Sequence, residues 1–199
     1  MIKLPSHGAH QRIGLFGGSF NPAHQGHVQV ALYAMKRLQL DWVWWLVSPQ
    51  NPLKNPHESG DYAKRIALTR KLAKHPRFIV TNLEKQIHTK YTAQTIATLK
   101  RFSKARFVWI MGADSLANFH YWREWVSIAQ NVNIAVLARP GYSIHALNSK
   151  TALRYRDRRL PVDRPQILAA RRAPHWVFIS MPLRNESSSA IRATRNTVL

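Results

Sequence analysis

Gly17-Gly18-Ser19-Phe20-Asn21-Pro22-Ala23-His24-Gln25-Gly26-His27 lies between an apolar run, Ile13 to Phe16, and a helix-patterned stretch, Val28 to Leu38. Strand, glycine turn and helix in that order open a βαβ unit, and turns of this kind are where α/β proteins hold phosphates. Glycines let backbone N–H groups approach an anion closely, and the start of the following helix adds unpaired donors with a partial positive charge. On the residues alone two readings of Gly17-Gly18 stay open, ordinary turn chemistry and a phosphate bed.

The same alternation continues along the chain. Strand-like runs follow at Val43 to Val47, Phe78 to Thr81, Phe107 to Met111, Asn133 to Ala138 and Trp176 to Ser180. Between them lie helical patterns over Tyr62 to Lys74 and Thr92 to Phe102, and a broken one from Ser115 to Gln130. Short apolar strands separated by helix-length segments predict a single Rossmann-like, doubly wound α/β domain with a mostly parallel sheet. Ligands then belong at the carboxyl ends of the strands. The segments Ser48 to Gly60 and Arg139 to Pro174 read as irregular.

Composition narrows the classes. A chain of 199 residues with 45% apolar content fits one globular domain with a good core. Its longest strongly apolar run, Trp42 to Val47, is far too short to span a bilayer, and Met1 to Gln11 lacks the apolar core of a signal peptide. Zero cysteines exclude a disulfide framework, and a cytoplasmic location is the default expectation. Thirty Lys and Arg against nine Asp and Glu give a formal charge of +21. That charge alone would suit a nucleic-acid partner. The basic residues are dispersed, however, thickening only between Arg154 and Arg172, and no known nucleic-acid module is visible. A solvated basic surface that steers anionic substrates is the expected reading, with incidental RNA binding as the rival.

His24 and His27 stand where an anion would be welcome. A zinc site would need a further ligand at matching spacing, and none is visible, so no resident metal is expected. At a helix N-terminus the dipole disfavours an imidazolium, yet each ring can donate a hydrogen bond to a phosphoryl oxygen. Each other motif falls at a strand end. Ser48-Pro49-Gln50-Asn51-Pro52-Leu53-Lys54 is a stiff loop presenting a lysine, and Lys90-Tyr91-Thr92-Ala93 puts Thr92 where a helix should begin, as an N-cap. In Gly112-Ala113-Asp114-Ser115 the acid reads as a cap of the next helix, and the aromatic stretch Phe119 to Trp125 follows. Near the C-terminus Ser187-Ser188-Ser189-Ala190-Ile191-Arg192 sets an arginine in the first turn of a capped helix, a conflict with the dipole that a bound anion would resolve.

Gly17-Gly18-Ser19-Phe20-Asn21-Pro22 followed by His24-x-Gly26-His27 resembles the signature of the nucleotidyltransferase superfamily and, within it, is similar to bacterial nicotinate-nucleotide adenylyltransferases. The resemblance runs from about Arg12 to Arg192, which divides the chain into an N-terminal extension, 1–11, and a nucleotidyltransferase domain, 12–199. It implies transfer of AMP from ATP to nicotinate mononucleotide, giving deamido-NAD and pyrophosphate, with Mg2+ carried on ATP. His24, His27 and Arg192 become catalytic residues; Gly17, Gly18, Ser19, Phe20, Lys54, Asp114, Ser187 and Ser188 bind ATP. Thr92, Ala93, Trp122 and the backbone of Arg123 take the nicotinate mononucleotide, Trp122 by stacking on its ring. Two positions depart from the family's serine motif: Glu186 at its first place, and Ser189 where the family has threonine. The chain ends at Leu199, so the final helix is expected to be shorter than in many relatives. Nicotinamide mononucleotide as acceptor, alone or with the acid, is the alternative within the superfamily, and phosphopantetheine adenylyl transfer a more distant one. Partners are otherwise small molecules, with homo-oligomers left open.

Overall fold

Each of the six apolar runs forms a strand: β1 Arg12–Gly18, β2 Trp42–Val47, β3 Phe78–Thr81, β4 Arg106–Gly112, β5 Asn133–Ala138 and, after a short β6 at Arg159–Leu160, β7 Trp176–Ser180. These are drawn from a computed structural model that describes residues 2–50, 60–138 and 143–181. The strands lie in the order β3-β2-β1-β4-β5-β7-β6, and every pairing is parallel. The helices are α1 Gln25–Leu38, α2 Tyr62–Leu72, α3 Leu83–Gln86, α4 Thr92–Phe102, α5 Ala113–Asn118, α6 Trp125–Asn131, α7 Ser143–Leu147 and α8 Lys150–Arg154.

A parallel sheet covered on both faces needs strands that are apolar throughout, which is why these read as runs and not as alternations. Ile13, Leu15, Trp44, Leu46, Trp109 and Met111 face one layer, against Ala93, Ile96 and Leu99 of α4 and residues of α5 and α6. Phe16, Trp45, Val47, Val108 and Ile110 face the other, against Val30, Ala31, Ala34 and Leu38 of α1 and Ile66 of α2. The chain reverses its direction of winding between β1 and β4, whose register pairs Phe16 with Ile110. In open α/β sheets ligands bind at such a switch point, outside the carboxyl ends of the two strands, which here end in Gly17-Gly18 and Gly112.

Two expectations are corrected. Helix α1 starts at Gln25, not Val28, because His24 takes the extended N-cap conformation (φ −145°, ψ 171°). Arg139 to Pro174 is not irregular where it is described: it holds α7, α8, β6 and a 3-10 turn over Pro165–Ala170. Its elements are too short to show a period. Residues 2–11, expected as an N-terminal extension, pack on the sheet domain: His7 meets Trp44 edge-on at 5.2 Å, the Lys3 N–H donates to Gln86 Oε1 at 2.9 Å, and Ile2 and Leu4 pack on the core.

Candidate active site

The β1–α1 turn is shaped from below by aromatic rings. A Cβ on Gly17 would stand 2.5 Å from the Trp109 ring, so the first glycine is required for the packing of this tryptophan from the neighbouring β4. Phe20 has a left-handed backbone (φ 44°) and is only 2% exposed. Its ring lies 5.1 Å from that of His27 and 5.1 Å from that of Trp45. Phe20 therefore supports the turn from the core, its ring packed between those of His27 and Trp45.

His24 and His27 come together, their ring centroids 3.8 Å apart. The His24 backbone N–H donates to Nδ1 of His27 at 3.2 Å. This is half of a capping box, with histidine doing what Glu or Gln usually does at the third helical position. An Nδ1 that accepts is unprotonated, so the ring proton of His27 sits on Nε2, the nitrogen suited to donate to a phosphoryl oxygen. His24 is buried and His27 half-buried.

On the β4 side, Asp114 is exposed in the first turn of α5, whose N-cap is Gly112. Its carboxylate is not the cap; Oδ1 lies over Gly112, 2.5 Å from where a Cβ would be. Thr92 is likewise not a cap. Tyr91 is the N-cap of α4, and Thr89 holds the turn, accepting the Tyr91 N–H at 3.0 Å and donating to the Gln94 side chain. That leaves Thr92 and Ala93 as the first two helical residues, whose N–H groups have no acceptor within the helix. The Arg123 guanidinium lies over the Tyr91 ring, 4.7 Å from its centroid. Trp122, half-buried, packs on Phe119 at 5.2 Å and meets Trp109 edge-on at 6.1 Å. Trp125 is half-buried against Phe119 and Tyr155, as a core residue would be.

Three residues that sequence reasoning missed tie these parts together. Trp109 fills the space over Gly17 and touches Trp122, joining the glycine turn to the aromatic segment. A tryptophan in mid-strand gives no signal beyond core. Glu84, in the short α3, is 5% exposed and accepts from the Thr95 hydroxyl at 3.3 Å. Burial pushes its carboxyl up to about 7, against the pull of the Ser48 and Thr95 hydroxyls. The third is Arg65 of α2. Lys54, Ser187, Ser188 and Arg192, with Glu186 and Ser189, lie outside the described residues.

In the basic segment, the Arg154 guanidinium lies over the Trp125 ring, 5.7 Å from its centroid. Arg156 and Arg164 are exposed and, among the described residues, form ion pairs with their sequence neighbours Asp157 and Asp163, at 3.6 and 3.8 Å.

A family model described as cytidylyltransferase-like matches residues 15–194. A probable nicotinate-nucleotide adenylyltransferase of Cereibacter sphaeroides is 49% identical over 183 residues, covering 92% of this chain and 96% of the relative. The chain belongs to the nicotinate-nucleotide adenylyltransferase family. A further probable member, from Brucella suis, is 46% identical over 181 residues, covering 90% of this chain and 93% of that one. Among solved structures, Plasmodium falciparum nicotinic acid mononucleotide adenylyltransferase complexed with NaAD is similar in fold, with a TM-score of 0.70 at 16% identity, covering 92% of this chain and 83% of the other. That similarity covers the doubly wound sheet described above. No helix among the described residues is long and apolar enough to cross a membrane.

Proposed function

We propose that this member of the nicotinate-nucleotide adenylyltransferase family transfers AMP from ATP to nicotinate mononucleotide, with ATP at the β1–α1 turn and the acceptor between the start of α4 and Trp122. The observation that carries the arrangement is Trp109, which packs under Gly17 and against Trp122 and so sets the two sides at a fixed separation. The products are deamido-NAD and pyrophosphate, a step of NAD biosynthesis. A cytoplasmic location goes with this reading.

An oxygen of the nicotinate mononucleotide phosphate attacks the α-phosphorus of ATP, and the bond from that phosphorus to the bridging oxygen breaks. The electron pair leaves on pyrophosphate. The nucleophile is already an anion at neutral pH, so no base has to take a proton; catalysis is alignment of two anions and stabilisation of the charge that builds on the phosphates. His27 donates from Nε2, with His24 beside it, and Lys54, Ser187, Ser188 and Arg192 complete the hold on the polyphosphate. Gly17, Gly18, Ser19 and Phe20 supply the backbone bed. Asp114 takes the ribose hydroxyls of the adenosine. Magnesium arrives on ATP as part of the substrate.

The acceptor is specified by donors. Thr92, the Ala93 N–H and the Arg123 N–H suit a carboxylate, which only accepts hydrogen bonds, better than a carboxamide, which brings N–H groups of its own. Trp122 offers its face to the electron-poor pyridine ring.

Stereochemistry tests the single displacement. With ATP made chiral at the α-phosphorus by sulfur substitution, the dinucleotide product is expected with inverted configuration. Retention would mean a covalent adenylyl-enzyme and would overturn the direct mechanism.

A further inference from the structure

Arg65 is only 3% exposed and has no part in the roles assigned above. Its guanidinium is spent on main-chain carbonyls: Nε donates to Gly60 at 3.0 Å, Nη1 to Ser19 at 2.6 Å and to Ser48 at 2.8 Å, and Nη2 to Pro49 at 2.7 Å. Tyr62, one turn earlier on α2, lies beneath the same guanidinium, 5.3 Å from it, and its hydroxyl donates to the Val47 carbonyl at 3.2 Å. One face of α2 therefore clasps the chain as it leaves β1 and again as it leaves β2.

We propose that Arg65 is a positioning residue for the ATP phosphates, holding the Ser19 end of the glycine turn in register with the Ser48-Pro49 turn that leads toward Lys54. The inference rests on the reading of the β1–α1 turn as the ATP polyphosphate site. The mechanism is the planarity of the peptide. In a trans peptide the C=O and the following N–H point in opposite directions, so a Ser19 carbonyl fixed on Arg65 aims the Phe20 N–H away from the guanidinium. A Pro49 carbonyl fixed in the same way aims the Gln50 N–H. Arginine turns carbonyls inward and leaves donors outward, which is what an anion-binding turn requires.

The residue type follows from the geometry. Four acceptors from three separate stretches of chain converge on one plane, and a guanidinium presents five N–H donors in a rigid fork. A lysine ammonium has three donors arranged as a tetrahedron on a flexible stem and cannot hold that set. Arg65→Lys keeps the charge and loses the register.

The test is steady-state kinetics of Arg65→Lys beside the wild type, varying each substrate at saturation of the other. The expected result is a KM for Mg-ATP raised about tenfold or more, with the KM for nicotinate mononucleotide within about twofold of wild type. An unchanged KM for ATP, or both KM values rising together in step with a lower melting temperature, overturns the proposal. A wild type that releases no pyrophosphate would instead sink the nucleotide reading on which it stands. Should Arg65→Lys not fold, the wild-type chain carrying 15N-arginine decides: the Arg65 side-chain signals are expected to shift on adding a non-hydrolysable ATP analogue and not on adding nicotinate mononucleotide, and no shift with the analogue overturns it.

Discussion

The His27 ring accepts the His24 N–H at Nδ1 and is proposed to donate to phosphate from Nε2, so its replacement should disturb the start of α1 as well as any phosphate contact. The two effects separate in a pair of variants. Glutamine at the third helical position keeps an acceptor for the His24 N–H, so His27→Gln should melt near the wild type while turnover falls by about two to three orders of magnitude, the usual loss for one well-placed donor. His27→Ala should lose the same turnover and some stability in addition. A His27→Gln enzyme with near-normal kcat would remove the ring from the chemistry. Gly17 has a different constraint. Its missing Cβ is the place taken by a buried Trp109 that cannot swing aside, so Gly17→Ala should destabilise by about 1–3 kcal/mol in thermal or denaturant melts. The sequence shows why a glycine belongs in a phosphate turn; the second reason, a tryptophan from β4, is a contact between distant residues and leaves no local trace.

At the scale of elements, the strands were legible because both faces of a parallel sheet are apolar. Helices with a full turn or more of pattern, α1, α2 and α4, were legible too. What escaped was short or borrowed. Elements such as α3 and β6, of four and two residues, carry no periodicity, and the turn before α4 takes its hydrogen bonds from Thr89 and Gln94, so Thr92, the residue that looked like the cap, is left for other use. Glu84 sits in that short α3 and makes the start of α4 sensitive to pH. Its carboxyl is raised from 4.5 to about 7, so in the unfolded chain it ionises first. Stability is highest when both states are protonated, falls as pH rises from about 4.5 to 7, and is lower by on the order of 3 kcal/mol above that. Tyr62 shares the environment, its hydroxyl pushed up by burial and by the charge on Glu84. Glu84→Gln mimics the protonated form, so its melting temperature should gain on the wild type across pH 4.5 to 7 and level off above. A difference independent of pH would show that Glu84 is ionised throughout.

The whole molecule is a strongly charged body that handles anions. With a formal charge of +21, long-range attraction should lower the KM of both Mg-ATP and nicotinate mononucleotide at low salt, and both should rise several-fold between about 0.05 and 0.5 M NaCl as the screening length shortens. A flat response would confine the basic residues to solubility. The order of the strands was not legible, since adjacency of β1 and β4 is a property of the sheet, but the switch point it creates sets the strand that leads into the glycine turn beside the strand that leads into Asp114. The two motifs proposed to hold the phosphates, His24 with His27 and Ser187-Ser188 with Arg192, stand far apart in the chain, and the second lies outside the described residues. The central claim is tested most directly by the initial rate of pyrophosphate release from Mg-ATP with nicotinate mononucleotide, nicotinamide mononucleotide or no acceptor. Release that needs an acceptor, with a higher kcat/KM for the nicotinate form, is the result expected; no release with either mononucleotide would contradict it.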